Sequence, residues 1–210
     1  MSRSPLKLYV DARYASPYAM SAYITLREKG IEFETVLVDL DWSENRSDDY
    51  TRVSLTQRVP TLIDDGFALS ESSAITEYLE ELYPEVPVYP QEPQQRARVR
   101  QVQAWLRSDL GDIRQERSTL VVFYGVKGGP LSTEGLAAAN KLFNAAEALL
   151  AGGAEYIAGQ WSIADVELAV MLNRLILNGD AVPAVLRDYA ARQWQRPSVQ
   201  EWVSKVRPAL

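Results

Sequence analysis

Hydroxyl groups are the first side chains to consider for chemistry, because the 210 residues include neither cysteine nor histidine. This composition excludes a protein thiol nucleophile, a disulfide framework, a thiolate metal site and a Ser-His-Asp triad. Catalysis must therefore use hydroxyls, carboxylates, guanidinium groups, backbone amides or a borrowed cofactor. Ser16 before Pro17 has the pattern of a helix N-cap with proline at the first helical position. Ala19 stands where a capping box would have Glu or Gln, so the sequence does not show a closed cap.

A second group of candidates lies in two segments, Arg58-Val59-Pro60-Thr61-Leu62 and Leu69-Ser70-Glu71-Ser72-Ser73-Ala74-Ile75. Taken singly, the first is a strand that begins at a proline and the second is a helix that begins at a serine, with Ser70 as the expected N-cap. Their order and spacing, behind the elements described next, favour a binding site over two unrelated structural features.

The elements that must position these residues alternate between strand and helix. The predicted strands are residues 6–10, 33–40, 61–63 and 67–69; helices are predicted at 19–26 and from 70 to 82, with a weak signal at 46–54. Gly30 is expected to stop the first helix, and Asp64-Asp65-Gly66 to turn a hairpin. The order is βαβ followed by ββα, an α/β arrangement.

Everything after a proline-dense segment, residues 83–93, has helical periodicity. The expected helices are residues 99–113, 136–150, 163–177, 182–194 and 197–206. The helix at 163–177 is apolar on nearly every side, which is typical of a helix inside a bundle. We therefore predict an α/β domain over residues 1–82, a linker over 83–91 and an all-helical domain over 92–210.

Charge and hydropathy limit the partners and the location. Residues 1–82 hold 15 acidic and 8 basic side chains, whereas residues 83–210 hold 13 and 14. The net charge of −6 argues against nucleic acid as the main partner. The N-terminal segment does not resemble a signal peptide, and no stretch approaches the ~20 apolar residues of a membrane span. The sequence predicts a cytoplasmic protein that has no metal site and no membrane partner.

The whole pattern resembles the soluble glutathione transferases, which join a thioredoxin-like domain to an all-α domain. Arg58-Val59-Pro60-Thr61-Leu62 with the segment Leu69–Ile75 is similar to the family's glutathione-binding signature. Ser16-Pro17-Tyr18 is similar to the Cys-Pro-aromatic motif of other members, with serine in place of cysteine. The chain is therefore identified as similar to a bacterial serine-type member of the family.

The resemblance implies a role for each residue of the signature. A cis bond between Val59 and Pro60 would let the Val59 backbone pair with the cysteinyl backbone of glutathione. The Ser72 amide and the helix dipole would bind the γ-glutamyl carboxylate, and Glu71 would bind the ammonium group. Arg58 would bind the glycyl carboxylate, unless it is simply a solvated surface arginine.

Ser16 would then act on a thiol that belongs to the co-substrate. A thiol of pKa ~8.5 is only a few per cent ionised at neutral pH. Lowering its pKa by about two units requires ~2.7 kcal/mol of preferential thiolate stabilisation. A hydrogen bond from the Ser16 hydroxyl, together with the dipole of the following helix, is of that order. Tyr9 and Tyr14 are the alternative donors, and either can equally be a packing residue.

The expected function is transfer of glutathione to a small hydrophobic electrophile by a homodimer, with glutathione-dependent reduction of hydroperoxides as a second activity. Without a cysteine in the chain, a mixed protein disulfide is disfavoured. The alternative is a non-catalytic binding module in a transcription, translation or stress-response assembly, in which Ser16 is only a helix cap. The presence of Val59, Pro60, Glu71 and Ser72 favours the enzyme.

Three further features lie in the second half of the chain. Ser162-Ile163-Ala164-Asp165 is similar to the family's buried capping motif, a folding element. Arg100, Arg107 and Arg114 recur every seven residues, with Arg96 four before, and form either a solvated face or a surface for anionic ligands or intersubunit pairing. Asp109 is a candidate partner for the γ-glutamyl ammonium.

Overall fold

The computed structural model describes residues 5–210. Contacts divide the chain into two units, one that extends to Val88 and includes Glu201–Leu210, and one formed by Tyr89–Gln200. The first unit thus includes residues 201–210, which the sequence assigns to the helical domain. The boundaries at 83–91 stay a prediction.

A four-stranded sheet organises the first unit, with strand order β2-β1-β3-β4. Its strands are β1 (Leu6–Asp11), β2 (Phe33–Val38), β3 (Thr61–Asp64) and β4 (Phe67–Ser70). β1 pairs in parallel with β2 and antiparallel with β3, and β3 pairs antiparallel with β4. The helices are α1 (Pro17–Glu28), α2 (Asp48–Val53) and α3 (Ser72–Leu82). The predicted thioredoxin-like order is confirmed.

The end of α1 shows how a local sequence signal predicts the residue at which a helix stops. Gly30 has a φ of +66°, a conformation that costs glycine little. Its N–H donates to the Arg27 carbonyl, and the Ile31 N–H donates to the Leu26 carbonyl. This pair of bonds is a Schellman motif, which satisfies carbonyls at the helix end. The predicted stop at Gly30 is confirmed.

The second unit is all-helical, as predicted. Its helices are α4 (Pro93–Ser108), α5 (Gly111–Glu116), α6 (Thr119–Tyr124), α7 (Thr133–Leu149), α8 (Ile163–Ile176), α9 (Ala184–Trp194) and the start of α10 (Pro197–Val203). In α8, 12 of the 14 residues are buried, which confirms the prediction of a helix inside a bundle. α8 packs against α4, α6 and α9.

Two helical predictions differ from the structure. The single helix expected over 99–113 is interrupted, because Leu110 has a non-helical ψ of 44° between α4 and α5. Gly111, a weak helix former, begins α5. The sequence does not reveal the break, because the apolar residues Leu106, Leu110 and Ile113 keep a helical spacing across it. α6 was not predicted, because six residues are too few to show a helical period.

A buried ion pair in the second unit carries a stability prediction. Arg117 is 1% exposed and donates to both carboxylate oxygens of Asp180, at 2.6 and 2.8 Å. This pairing lowers the pKa of Asp180 from its ordinary value of 3.8. Asp180→Ala leaves the guanidinium without its counter-charge, and we expect a loss of about 3 kcal/mol in the free energy of unfolding, measured with urea at neutral pH.

The same variant has a defined pH dependence. A carboxyl group with a lowered pKa in the folded state stabilises the fold above its ordinary pKa, here 3.8, and this contribution is lost as the pH falls through the folded value. The difference between the wild type and Asp180→Ala should therefore shrink in acid. Asp109→Asn, which breaks the exposed pair with Lys141, should cost under about 1 kcal/mol. An equal cost for both variants would contradict the prediction.

Within residues 5–210, no helix combines the length and apolar character needed to cross a membrane. The same residues contain no group of three or more His, Cys, Asp or Glu side chains arranged to hold a metal ion.

Candidate active site

Three segments that carry the predicted site residues meet at one edge of the sheet. Tyr9 of β1 is aligned with Thr61 of β3, and Thr61 is aligned with Ser70 of β4. Because β3 runs antiparallel to both neighbours, the end of β1, the start of β3 and the end of β4 lie side by side. The loop to Ser16, the segment 58–60 and the segment 71–72 therefore leave the sheet at this common edge.

Ser16 is the N-cap of α1. Its Oγ accepts a hydrogen bond from the Ala19 N–H at 3.2 Å, and Pro17 occupies the first helical position. The expected structural role of Ser16 is thus present. A hydroxyl has two acceptor lone pairs and one proton, and the cap uses only a lone pair. Ser16 therefore retains a proton to donate at the positive end of the α1 dipole.

Asp11, at the end of β1, fixes the backbone of the Ser16 loop. The residue is 4% exposed, and its carboxylate accepts hydrogen bonds from the N–H groups of Ala15 at 2.7 Å and Ser16 at 3.0 Å. Burial raises the pKa of Asp11, while these two bonds and the charge of Arg207 act in the opposite direction. A buried carboxylate that is kept charged by its partners, against the cost of desolvation, is typical of a functional site. The sequence did not indicate Asp11, because a single Asp after a strand has no distinctive pattern.

Tyr9 and Tyr14 both pack against other rings. The Tyr9 ring lies edge-on to Tyr50, with centroids 5.6 Å apart, and the Tyr14 ring lies edge-on to Trp202 at 5.3 Å. Burial is the first cause of a raised pKa at Tyr14, followed by the Asp11 charge. These contacts support the packing alternative for both tyrosines.

A cluster of four hydroxyl groups lies below the segment 58–60, formed by Tyr50, Ser54, Thr61 and Ser70. The Ser54 and Ser70 oxygens are 3.2 Å apart, and Thr61 Oγ1 lies 2.9 Å from Ser54 Oγ and 3.1 Å from the Tyr50 oxygen. The Tyr50 hydroxyl donates to the Arg58 carbonyl at 2.8 Å. The cluster thereby holds the main chain immediately before Val59.

The segment held by this cluster has the geometry that the sequence resemblance implied. The bond between Val59 and Pro60 is cis. Val59 is half-buried and Pro60 is buried, whereas Arg58 is exposed. The Arg58 side chain is therefore available to solvent, as both interpretations of this residue required.

Ser70 is not the cap of α3, which corrects the prediction. Ser70 ends β4 and uses its hydroxyl in the cluster, while Glu71 occupies the N-cap position with a φ of +74° and no side-chain capping bond. Ser72 is the first helical residue and is 3% exposed. The Glu71 side chain does not cap α3, and its exposed carboxylate lies beside the positive end of the α3 dipole.

The remaining candidates in the second unit make hydrogen bonds within that unit. The Asp165 carboxylate accepts from the N–H groups of Ile157 at 3.0 Å and Ser162 at 2.9 Å, from the Ser162 hydroxyl at 2.9 Å and from the Tyr189 hydroxyl at 2.8 Å. The predicted capping motif is confirmed. Asp109 accepts from the Trp105 indole at 2.7 Å and pairs with Lys141, two bonds that lower its pKa.

The four arginines at positions 96, 100, 107 and 114 do not form one uniform solvated face. Arg107 makes two bonds of 2.8 Å to Glu167, and Arg114 lies on α5, where it donates to the Leu106 carbonyl. Arg96 donates to the Pro90 carbonyl, and Arg100 is exposed. Three of these four arginines therefore link segments of the second unit.

In comparisons with known proteins, both halves of the chain match family models. Residues 15–82 match the family model described as Glutathione S-transferase, N-terminal domain, and residues 92–207 match the model described as Glutathione S-transferase, C-terminal domain. A crystal structure of a glutathione transferase homolog from Burkholderia gl BGR1 with bound glutathione has a TM-score of 0.80 and 45% identity, covering 95% of this chain and 97% of that chain.

Two curated relatives give shorter alignments. Glutathione S-transferase theta-1 of Homo sapiens is 38% identical over 141 residues, or 63% of this chain and 55% of the relative. Maleylacetoacetate isomerase of Pseudomonas aeruginosa is 38% identical over 108 residues, or 50% of each protein. The chain thus spans about half the length of the curated relatives that it matches.

Proposed function

Because the chain belongs to the glutathione S-transferase family, we propose that it binds glutathione where β1, β3 and β4 meet and holds its sulfur as a thiolate beside Ser16. The observation that carries this proposal is the convergence of Ser16, the segment Arg58–Pro60 and the start of α3 at one edge of the sheet. The bound glutathione of the Burkholderia homolog supports the choice of ligand.

The proposed contacts follow the chemistry of the three segments. The γ-glutamyl carboxylate binds at the N-terminus of α3, where the Ser72 amide and the helix dipole favour an anion. The adjacent ammonium group binds the carboxylate of Glu71. The cysteinyl backbone pairs with the main chain of Val59 as an added strand, and Arg58 binds the glycyl carboxylate. In this orientation the cysteinyl sulfur points toward the end of β1 and Ser16.

Ser16 acts as a hydrogen-bond donor and not as a nucleophile. The Ala19 N–H binds a lone pair of the hydroxyl, and donation to an oxygen in this way strengthens the donor capacity of its O–H. The O–H donates to the thiolate, which stabilises the charged form over the thiol. The thiolate then attacks an electrophilic carbon of a small hydrophobic substrate, so that a C–S bond forms while the leaving group departs as an anion with the electron pair of the broken bond. The same thiolate can attack the terminal oxygen of a hydroperoxide, which breaks the O–O bond and gives an alcohol, after protonation by water, and the sulfenic acid of glutathione. A second glutathione then reduces the sulfenic acid, with glutathione disulfide and water as products.

A glutathione titration with matched variants tests the binding site. We expect Glu71→Ala to raise the Kd for glutathione about 10- to 100-fold, because a charge-assisted bond contributes about 1.5–3 kcal/mol. Glu81→Ala removes an exposed carboxylate from the other end of α3 and should leave the Kd unchanged. Isothermal titration calorimetry measures both.

The outcome also separates the enzyme from a non-catalytic module. No binding of glutathione by the wild type would overturn the proposed function. Binding without thiolate absorbance in the ultraviolet would favour the module, in which Ser16 is only a helix cap. We further propose that the protein acts as a homodimer in the cytoplasm, and light scattering should then give twice the 23.6 kDa of one chain.

A further inference from the structure

The turn between Asp11 and Ser16 contains a residue in a conformation that it does not prefer. Tyr14 has a φ of +47°, in the left-handed region. For a residue with a Cβ this region costs about 1 kcal/mol or more, and it is kept only where the surroundings fix it. One such constraint lies inside the turn, where the Tyr14 N–H donates to the Asp11 carbonyl at 2.9 Å. Ser16 follows two residues later, so the backbone of Tyr14 influences its position.

A second constraint on the turn comes from Arg207, nearly two hundred residues further along the chain and in the same structural unit. Its Nη2 donates to the Tyr14 carbonyl at 3.2 Å and to the Trp202 carbonyl at 3.0 Å. Its Nη1 donates to the carbonyls of Val203 at 2.7 Å and Lys205 at 2.9 Å. One planar guanidinium thus joins the turn to the end of α10 through four carbonyl oxygens, which a lysine ammonium with three donors cannot reproduce.

The charge of Arg207 also acts on the other residue that fixes the turn. It opposes the effect of burial on the Asp11 carboxyl group, and so favours the ionised carboxylate. That carboxylate holds the N–H groups of Ala15 and Ser16. Arg207 therefore supports the loop in two ways, through the Tyr14 carbonyl and through the charge state of Asp11.

We propose that Arg207 is a positioning residue for Ser16, and that the segment Trp202–Arg207 is part of the active-site structure. This inference rests on the proposed function of Ser16 as the thiolate donor. Arg207 fixes the Tyr14 turn and the Asp11 carboxylate, and these set the place of the Ser16 hydroxyl. The ring contact between Tyr14 and Trp202 belongs to the same support.

The kinetic consequence is specific. A hydroxyl displaced by a fraction of an ångström stabilises the thiolate less, whereas the contacts of the glutathione backbone at β3 and α3 are unaffected. We expect Arg207→Met, which keeps the aliphatic stem, to raise the pKa of the bound glutathione thiol by about one unit and to lower kcat/KM about tenfold near neutral pH. At about pH 5, where bound glutathione is un-ionised in both proteins, the Kd for glutathione should change less than twofold. Arg207→Lys should restore only part of the loss.

The matched control is Arg27→Met. Arg27 pairs with Glu201 at 2.6 Å, within the first unit, and so also holds the end of α10, but through an ion pair that does not involve the turn. If loosening of α10 in general were the cause, both variants would raise the thiol pKa. We expect the rise in the thiol pKa in Arg207→Met only.

A second measurement needs no ligand. Hydrogen exchange of the Ala15 and Ser16 amides, which are bonded to Asp11, should be faster in Arg207→Met than in Arg27→Met. Unchanged exchange and an unchanged thiol pKa in Arg207→Met would overturn the inference and leave the proposed function standing. A wild type that binds glutathione without forming the thiolate would instead overturn the proposed function, and with it the role of Arg207 toward the sulfur.

Discussion

Ser16→Ala is expected to lower kcat/KM for glutathione conjugation about 100-fold, because loss of one donor to a reacting anion has an effect of about that size. The pKa of the bound glutathione thiol should rise by about one to two units, since the remaining dipole of α1 stabilises the thiolate only in part. At about pH 5, where bound glutathione is un-ionised, the Kd should change little, because in the proposed complex Ser16 contacts only the sulfur. Ultraviolet titration of the thiolate across pH, with initial rates, measures all three quantities.

Ser47→Ala is the matched control for this experiment. Ser47 is the N-cap of α2, and its hydroxyl accepts from the Tyr50 N–H at 3.3 Å, as Ser16 accepts from Ala19. Each substitution should cost about 1 kcal/mol of stability through the lost cap. Only Ser16→Ala should change the thiolate titration. If Ser16→Ala titrates like the wild type, the donor is Tyr9, Tyr14 or a backbone amide, and the proposed role of Ser16 is wrong.

Asp165→Ala is expected to destabilise the second unit by about 3–5 kcal/mol, the largest effect on stability that we predict. The substitution removes a fully buried acceptor of four hydrogen bonds and leaves the donors of Ile157, Ser162 and Tyr189 without their partner. Asp188→Ala, on the exposed face of α9, should change the free energy of unfolding by less than about 0.5 kcal/mol.

Urea unfolding followed by circular dichroism measures both variants, and glutathione binding by the folded fraction reports on the first unit. Asp165→Ala should keep its affinity for glutathione while it is folded, since Asp165 lies in the other unit. A small loss of stability would mean that water replaces the carboxylate. A changed affinity in the folded protein would mean that the capping motif has a role beyond folding.

The sequence predicted those elements whose signal is local. Strand alternation, the Gly30 stop and the apolar helix α8 all follow from residues within one element, and the structure confirms them. The break at Leu110 was concealed because an apolar period continued across it. Ser70 was wrongly expected as a helix cap because its competing partners, Ser54 and Thr61, are distant in sequence.

The candidate site shows the same difference between local sequence signals, which were predicted, and contacts between distant segments, which were not. Ser16, Glu71 and Ser72 were predicted from motifs that lie within a few residues. Asp11, Arg207 and the hydroxyl cluster were missed, because their roles depend on contacts between distant segments: Arg207 meets Tyr14 across 193 positions of the chain. An isolated arginine near the end of a sequence has no pattern that indicates such a contact.

The cap at Ser16 has a consequence for how members of such a family lose activity. Folding requires only an acceptor at this position, whereas thiolate stabilisation requires a proton donor. Asn and Asp are good N-caps but supply no hydroxyl proton. On the proposed role of Ser16, a single Ser16→Asp change would keep the N-cap of α1 while removing the donor, so that a catalyst could become a binding protein without loss of the fold. On this proposal, selection for the fold and selection for the reaction act on different atoms of one side chain.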